Sequence, residues 1–304
     1  MNLCSAMNNF LRNCNIANLS INTINFYKYA LKSFITYANK HGISNVEQVN
    51  LSAISGYIST LRATKQPITI HDYIISLRIF FNYLVSEGVL NTNCLDNIKK
   101  PKVPQKVIYS FTPQEVMYIL RLFNNTDFIS YRNYTIMNIL FGTGIRRSEL
   151  TSLLLYDVDL QINCLRIVGK GNKERLVPIS RSLRHIIKRY LVKRGEYLTK
   201  RDKVTSAFLI NANGEQLTAS GINRLFRIVR ESNAKWSTRV SAHTFRHTFA
   251  KYYLLNGGDI FSLQRILGHS KIEVTRKYVD LTETEIKVQN EKFNPLDNTR
   301  WQYY

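Results

Sequence analysis

The sequence predicts a mainly α-helical protein of two domains, an all-helical N-terminal one and a second that adds a small antiparallel β-sheet. Three observations predict it. Apolar residues recur at three- and four-residue spacing along most of the chain. A Lys- and Pro-rich segment interrupts that pattern near residue 100, and two strand-like runs further on flank a Gly-containing turn. A length of 304 residues is more than one core usually serves, and 44% hydrophobic residues suffice for two.

Between Ser20 and Lys100 the apolar positions Phe26, Tyr29, Ala30, Phe34 and Tyr37, then Ile54, Ile58 and Leu61, follow a helical period. Ser20 suits the N-cap of the first helix, and His41-Gly42 suits its end. A further helix over Ile68 to Val85 places Tyr73, Leu77, Phe80, Phe81 and Leu84 on a broad apolar face before Gly88. About four short helices are expected in this region. In the segment Lys99-Lys100-Pro101-Lys102-Val103-Pro104 the prolines bar a helix and the lysines bar a buried strand. The expected organisation is therefore a helical domain over 1–98, a basic linker over 99–110, a second domain over 111–282 and a tail over 283–304. The second domain opens at Thr112-Pro113-Gln114-Glu115, a capping box with proline at the first helical position. Helices should follow near 113–123 and 131–141. A hairpin of Cys164–Val168 and Arg175–Pro178 comes next, then a basic helix over 181–194 and further helices to Asp280.

The chain holds 42 Lys and Arg against 21 Asp and Glu, a formal net charge of +21 and a pI near 9.9. Residues 1–105 contain 10 basic and 4 acidic side chains and the remainder 32 and 17, so both parts are basic, by +6 and +15. Such an imbalance speaks of partners rather than of fold: a polyanion gripped along its length, an anionic lipid surface, or solubility alone. No apolar run is long enough to span a bilayer, and Met1 to Asn9 lacks the features of a signal peptide, so a soluble, cytoplasmic protein is expected, with no membrane partner. Cys4, Cys14, Cys94 and Cys164 are scattered and form no CxxC pair, which argues against a disulfide framework or a zinc site.

Four patterns carry chemistry, and each has an ordinary reading when taken singly. In Gly142-Thr143-Gly144-Ile145-Arg146-Arg147-Ser148-Glu149-Leu150 two glycines break a helix, so Arg146 can project into a cleft or simply meet solvent. Glu149 could fix the fork of an arginine or make a common helix-surface pair. In the hairpin turn Gly169-Lys170-Gly171-Asn172-Lys173, Lys170 can approach a ligand closely or merely keep the turn wet. In His243-Thr244-Phe245-Arg246-His247-Thr248-Phe249-Ala250, positions 243 and 246 share a helix face, so imidazole and guanidinium can converge on one phosphate. His243 and His247 have the spacing of a metal pair, but the third ligand and the glutamate of a zinc-protease motif are missing, and no metal is expected. In Leu267-Gly268-His269-Ser270, Gly268 ends a helix, and Thr275 and Tyr278 follow. One tyrosine among 18 says little by itself.

Taken in series, these segments resemble the tyrosine recombinase, or phage integrase, family, whose pattern reads TGxRxSEL, GKGxKxR, HxLRHxxA and LGHSxxxxTxxY. The match runs over Thr143–Leu150, Gly169–Arg175, His243–Ala250 and Leu267–Tyr278, with nine residues from His269 to Tyr278. Weaker likeness reaches the N-terminal helices and Asn93 to Lys102, so the resemblance covers roughly residues 15–282. Phe245 replaces the family's usual leucine, Arg147 adds a second basic group and Cys94 replaces a common proline; no catalytic group is lost.

The resemblance implies a site-specific DNA recombinase acting through a 3′-phosphotyrosyl intermediate. Tyr278 would be the nucleophile, and Arg146 and Arg246 would neutralise charge on the non-bridging oxygens, one such donor being worth about 10²–10³ in rate. His243 would accept the tyrosine proton or bond the phosphate, His269 would add a phosphate hydrogen bond and Lys170 would protonate the leaving 5′ oxygen. The covalent ester conserves the bond energy, so neither metal nor other cofactor is required. Lys99, Lys100 and Lys102 in the linker, with Lys173 and Arg175 on the hairpin, are candidates for DNA contact. The implied partners are double-stranded DNA with specific recombination sites, a tetramer of this chain on two sites, and accessory recombination proteins. The tail carries Ile286, Val288, Phe293, Leu296 and Trp301, which suit docking on a neighbouring protomer or folding back on their own domain. The short N-terminus leaves no room for a separate arm-site domain, and the tail favours integration or excision for a transposon or phage. Replicon-dimer resolution, inversion, topoisomerase-like relaxation and catalytically silent DNA binding are the alternatives.

Overall fold

The computed structural model describes residues 1–96, 98, 109–123, 127–169, 173–233, 235–236, 238–276, 287–288 and 290–292. The chain divides into two compact units, Met1–Lys106 and Val107–Tyr304. Most of the expected linker, with Lys99, Lys100 and Lys102, lies outside the described residues, as do Lys170, Tyr278 and most of the tail. Mainly helical architecture with one small antiparallel sheet is what the sequence predicts and what the chain adopts.

The first unit contains α1 (Leu3–Ile16), α2 (Ile21–Lys40), α3 (Leu51–Thr64) and α4 (Pro67–Ser86). Ser20 caps α2 by accepting from the Thr23 amide, and the chain leaves that helix through His41 and Gly42. Leu31, Phe34, Ile54, Leu77, Phe80 and Phe81 are sealed in the core. Phe80 packs edge-on against both Phe10 and Phe81. Helix α1 lies outside the sequence expectation. Its buried stripe of Leu3, Ala6, Met7, Phe10 and Cys14 has helical spacing but is diluted by Asn8, Asn9, Asn13 and Asn15, which favour helices weakly. Cys14 serves as a space-filling thiol, and burial pushes its pKa up.

The second unit is built around α6 (Phe128–Thr143), which packs against α5 (Pro113–Arg121), α8 (Arg181–Thr199) and α10 (Ala242–Leu255). The capping box forms: the Glu115 amide donates to Thr112 Oγ1 at 3.2 Å, and the Thr112 amide donates to Glu115 Oε2 at 2.8 Å. Strands β1 (Val158–Asp159), β2 (Cys164–Val168) and β3 (Glu174–Pro178) form one antiparallel sheet in that order, with Val168 opposite Glu174 at the hairpin mouth. Leu165 and Ile167 on β2 and Val177 on β3 face the core. Strand β1 has two residues and no alternation to read in the sequence.

Helix α8 buries Leu183, Ile187, Tyr190, Arg194 and Leu198 on one face, and Arg181, Lys188 and Arg189 are exposed on the other. Arg194 is inside because its guanidinium donates to the carbonyls of Thr205, Ala207 and Phe208. The short helices α7 (Arg147–Ser152), α9 (Ala219–Glu231), α11 (Ile260–Leu267) and α12 (Ile272–Arg276) complete the unit. Among the described residues no helix is long and apolar enough to cross a membrane.

Candidate active site

Two helix ends and one strand bring the motif residues together. Helix α6 stops at Gly144, whose φ of +61° puts the chain in the left-handed region, and a Cβ there would lie 2.5 Å from Phe249 Cδ1 on α10. The chain then turns through Arg146, the N-cap of α7. Glu149, in the first turn of α7, accepts from the Arg146 amide and from Arg146 Nη1, both at 2.7 Å. The Arg146 side chain is 43% exposed, so one edge is fixed to Glu149 and the rest of the guanidinium faces solvent.

Glu149 is itself 5% exposed and pairs with a second arginine. Arg175 Nη1 donates to Oε1 at 3.0 Å and Nη2 to Oε2 at 2.8 Å, a two-pronged arrangement that suits a planar fork on a carboxylate. Burial alone would raise the Glu149 pKa, but the hydrogen bonds from Arg175 and Arg146 outweigh it and hold the group at about 2. Arg175 Nε reaches across to the Ile266 carbonyl at 2.8 Å. Arg175 therefore points inward, unlike a basic residue placed on a hairpin for DNA contact: on β3 it shares the inner face with Val177, while Lys173 at the turn is exposed.

Arg246 on α10 is 3% exposed. Its Nη1 donates to the Gly144 carbonyl at 2.8 Å, and its Nη2 donates to the Leu267 carbonyl at 2.8 Å and to His269 Nε2 at 2.6 Å. Two helix C-termini, those of α6 and α11, thus meet one guanidinium, where the partial negative charge of terminal carbonyls favours a cation. A guanidinium has no acceptor, so His269 Nε2 is the acceptor and Nδ1 carries the proton, donating to Thr275 Oγ1 at 2.9 Å. Thr275 is fully buried. The sequence marks Thr275 only as part of a spacing; its part in orienting His269 becomes visible with the fold.

His243 is on the exposed side of α10, with its ring stacked on His247 at 5.6 Å between centroids. Burial, then the charges of Arg246 and Arg146, lower the His243 pKa. His247 falls to about 4 through burial, His243 and Arg246. His269 also falls to about 4, through burial followed by Arg246, Arg146 and Arg175. The imidazoles are therefore neutral at pH 7, and among the described residues of the cluster the fixed charges are three arginines against one carboxylate. This excess of two positive charges on a rigid frame can receive a tetrahedral anion. Among the described residues no group of three or more His, Cys, Asp or Glu is placed to hold a metal ion.

The structure thus joins Arg146, His243, Arg246 and His269, adds Glu149, Arg175 and Thr275 behind them, and leaves Lys173 at the surface. Lys170 and Tyr278 lie outside the described residues. The phage integrase family model matches residues 110–285, and the model for the phage integrase N-terminal SAM-like domain matches residues 8–88. Tyrosine recombinase XerD of Oceanobacillus iheyensis is 30% identical over 279 residues, covering 91% of this chain and 93% of its own. Among solved structures, the XerH site-specific recombinase bound to palindromic difH substrate aligns with a TM-score of 0.74 at 21% identity, covering 90% of this chain and 80% of that one. The Tn1549 transposon integrase in complex with transposon right end DNA aligns with a TM-score of 0.73 at 20% identity, covering 96% and 99%.

Proposed function

The chain belongs to the phage integrase family, the tyrosine recombinases, which break and rejoin DNA at specific sites, and we propose that it does so with Tyr278 as the nucleophile. The observation that carries this reading is the doubly positive, internally braced cluster of Arg146, Arg175 and Arg246 around Glu149, beside neutral histidines. A phosphodiester resists attack because it is already anionic, and its non-bridging oxygens gain charge in the transition state. Arg146 offers its solvent-facing N–H groups to one of those oxygens, and Arg246 supplies fixed charge beneath them.

Tyr278 Oη forms a bond to phosphorus as the P–O5′ bond breaks, leaving a 3′-phosphotyrosyl ester. Neutral His243 accepts the phenolic proton, and Lys170 Nζ protonates the departing 5′ oxygen. His269 holds its Nε2 as an acceptor to Arg246 in the free protein. Burial first, and the charges of Arg246, Arg146 and Arg175 after it, keep its pKa near 4; an anionic phosphate opposes the repulsive part, and on protonation Nε2 exchanges its bond from Arg246 for one donated to the phosphate. A 5′ hydroxyl of another strand then reverses the chemistry, and the ester conserves the energy needed for rejoining.

The substrate is duplex DNA carrying two recombination sites, held by a tetramer of this chain, with accessory recombination proteins as further partners. Lys99, Lys100, Lys102 and Lys173 contribute phosphate contacts. Integration or excision for a mobile element is the role we put forward. Resolution of replicon dimers is the second reading, favoured by the 30% identity to XerD. The chemistry is tested by incubating the protein with a nicked core-site duplex in EDTA without ATP. A covalent protein–DNA adduct is expected from wild type and none from Tyr278→Phe; adduct that needs a divalent metal, or that survives the substitution, would overturn the mechanism.

A further inference from the structure

We propose that Arg175 is a positioning residue for strand cleavage, holding the Glu149 carboxylate so that it braces Arg146 without neutralising it. The inference rests on the reading of Arg146 as a phosphate ligand. Glu149 is the carboxylate that faces both arginines, and each of its oxygens is shared between them. Arg175 occupies both oxygens in one plane, leaving Arg146 a single guanidinium bond and a backbone bond. Without that second fork, the carboxylate could turn and chelate Arg146 along its whole edge, which would draw the guanidinium inward and cancel its charge.

Three features show a place built for this side chain. Arg175 is 13% exposed although it follows a hairpin turn. Its Nε donates to the carbonyl of Ile266 in the last turn of α11, fixing the guanidinium plane from a third direction. Gly268 lies under its stem: a Cβ at that position would come within 2.9 Å of Arg175 Cδ and 3.0 Å of Nε. The same contact ties β3 to the turn that presents His269, so one residue sets the register of both Arg146 and His269. A lysine would keep the charge but give only a point donor, which cannot hold a carboxylate in a plane.

The test compares one preparation on two substrates. In the first, the scissile group is an ordinary phosphodiester. In the second, it is a methylphosphonate, in which a methyl group replaces one non-bridging oxygen and the group is neutral. Covalent adduct formation under single-turnover conditions is measured for wild type, Arg146→Ala, Arg175→Lys and Glu149→Gln. A misplaced guanidinium costs about 10²-fold on the anionic substrate. Arg175→Lys should show a loss of that order there, and a much smaller loss on the neutral one, in parallel with Arg146→Ala. The ratio between substrates is unaffected by any fraction of unfolded protein. If Arg146→Ala shows the contrast and Arg175→Lys loses rate equally on both substrates, or loses none, the positioning role is refuted while the reading of Arg146 stands. If Arg146→Ala itself shows no contrast, both are overturned.

Discussion

A carboxylate taken out of water loses its hydration, and Glu149 recovers the loss through four hydrogen bonds from two arginines and a backbone amide. The histidines show the opposite balance. His247 and His269 are each lowered from 6.5 to about 4, by burial first, and then by His243 and Arg246 for His247 and by Arg246, Arg146 and Arg175 for His269. In the unfolded chain these imidazoles take up protons near their ordinary value, whereas the folded protein resists doing so. The unfolded state therefore binds more protons between about pH 6.5 and pH 4, and stability falls as pH drops through that window. Glu149 acts in the same direction lower down, its contribution being lost from about 4.5 toward about 2. Urea midpoints recorded at pH 7, 5.5 and 4 should fall steadily, and His269→Gln should flatten the upper part of that decline. A midpoint independent of pH across this range would show that the histidines are not held neutral by the fold.

The ends of elements, more than their middles, place the chemistry. Helices α6 and α11 both terminate in a left-handed glycine, and Arg246 reads the carbonyls exposed at both ends. Gly144→Ala would need an unfavourable φ and would push a methyl group into Phe249. The expected cost is about 2–4 kcal/mol by urea denaturation, with loss of covalent adduct formation under conditions where the variant remains folded. Much at this scale is legible in the sequence. Ser20, Thr112 with Glu115, and the two glycines announce their helix boundaries because capping is local chemistry. The His243-to-Arg246 step places its residues on one helix face for the same reason. Helix α1 escapes because its asparagines blur the apolar stripe, and β1 because two residues carry no period. The inward turn of Arg175 is illegible, since its carboxylate partner is 26 positions away and a basic residue beside a hairpin turn ordinarily meets solvent. The His269 tautomer likewise depends on a guanidinium 23 positions earlier.

At the scale of the molecule, a net charge of +21 distributed over both parts of the chain gives general attraction to a polyanion, while choice of site rests on base-edge contacts. The biological role is separated by a plasmid carrying two copies of a candidate site. A resolvase-like enzyme should delete the segment between directly repeated copies. One devoted to integration and excision should also join a site on a circle to a site on a separate molecule. Products confined to relaxed circles would point instead to a topoisomerase-like activity. The cluster described above has a further consequence for the life of the chain. The hydrogen bonds that close it join residues 26, 91 and 102 positions apart. Contacts of that span form late, after most loop-closure entropy has been overcome. A nascent or partly unfolded chain therefore carries the individual reactive side chains without their mutual geometry. The geometry on which the proposed cleavage depends arrives only with the completed tertiary structure.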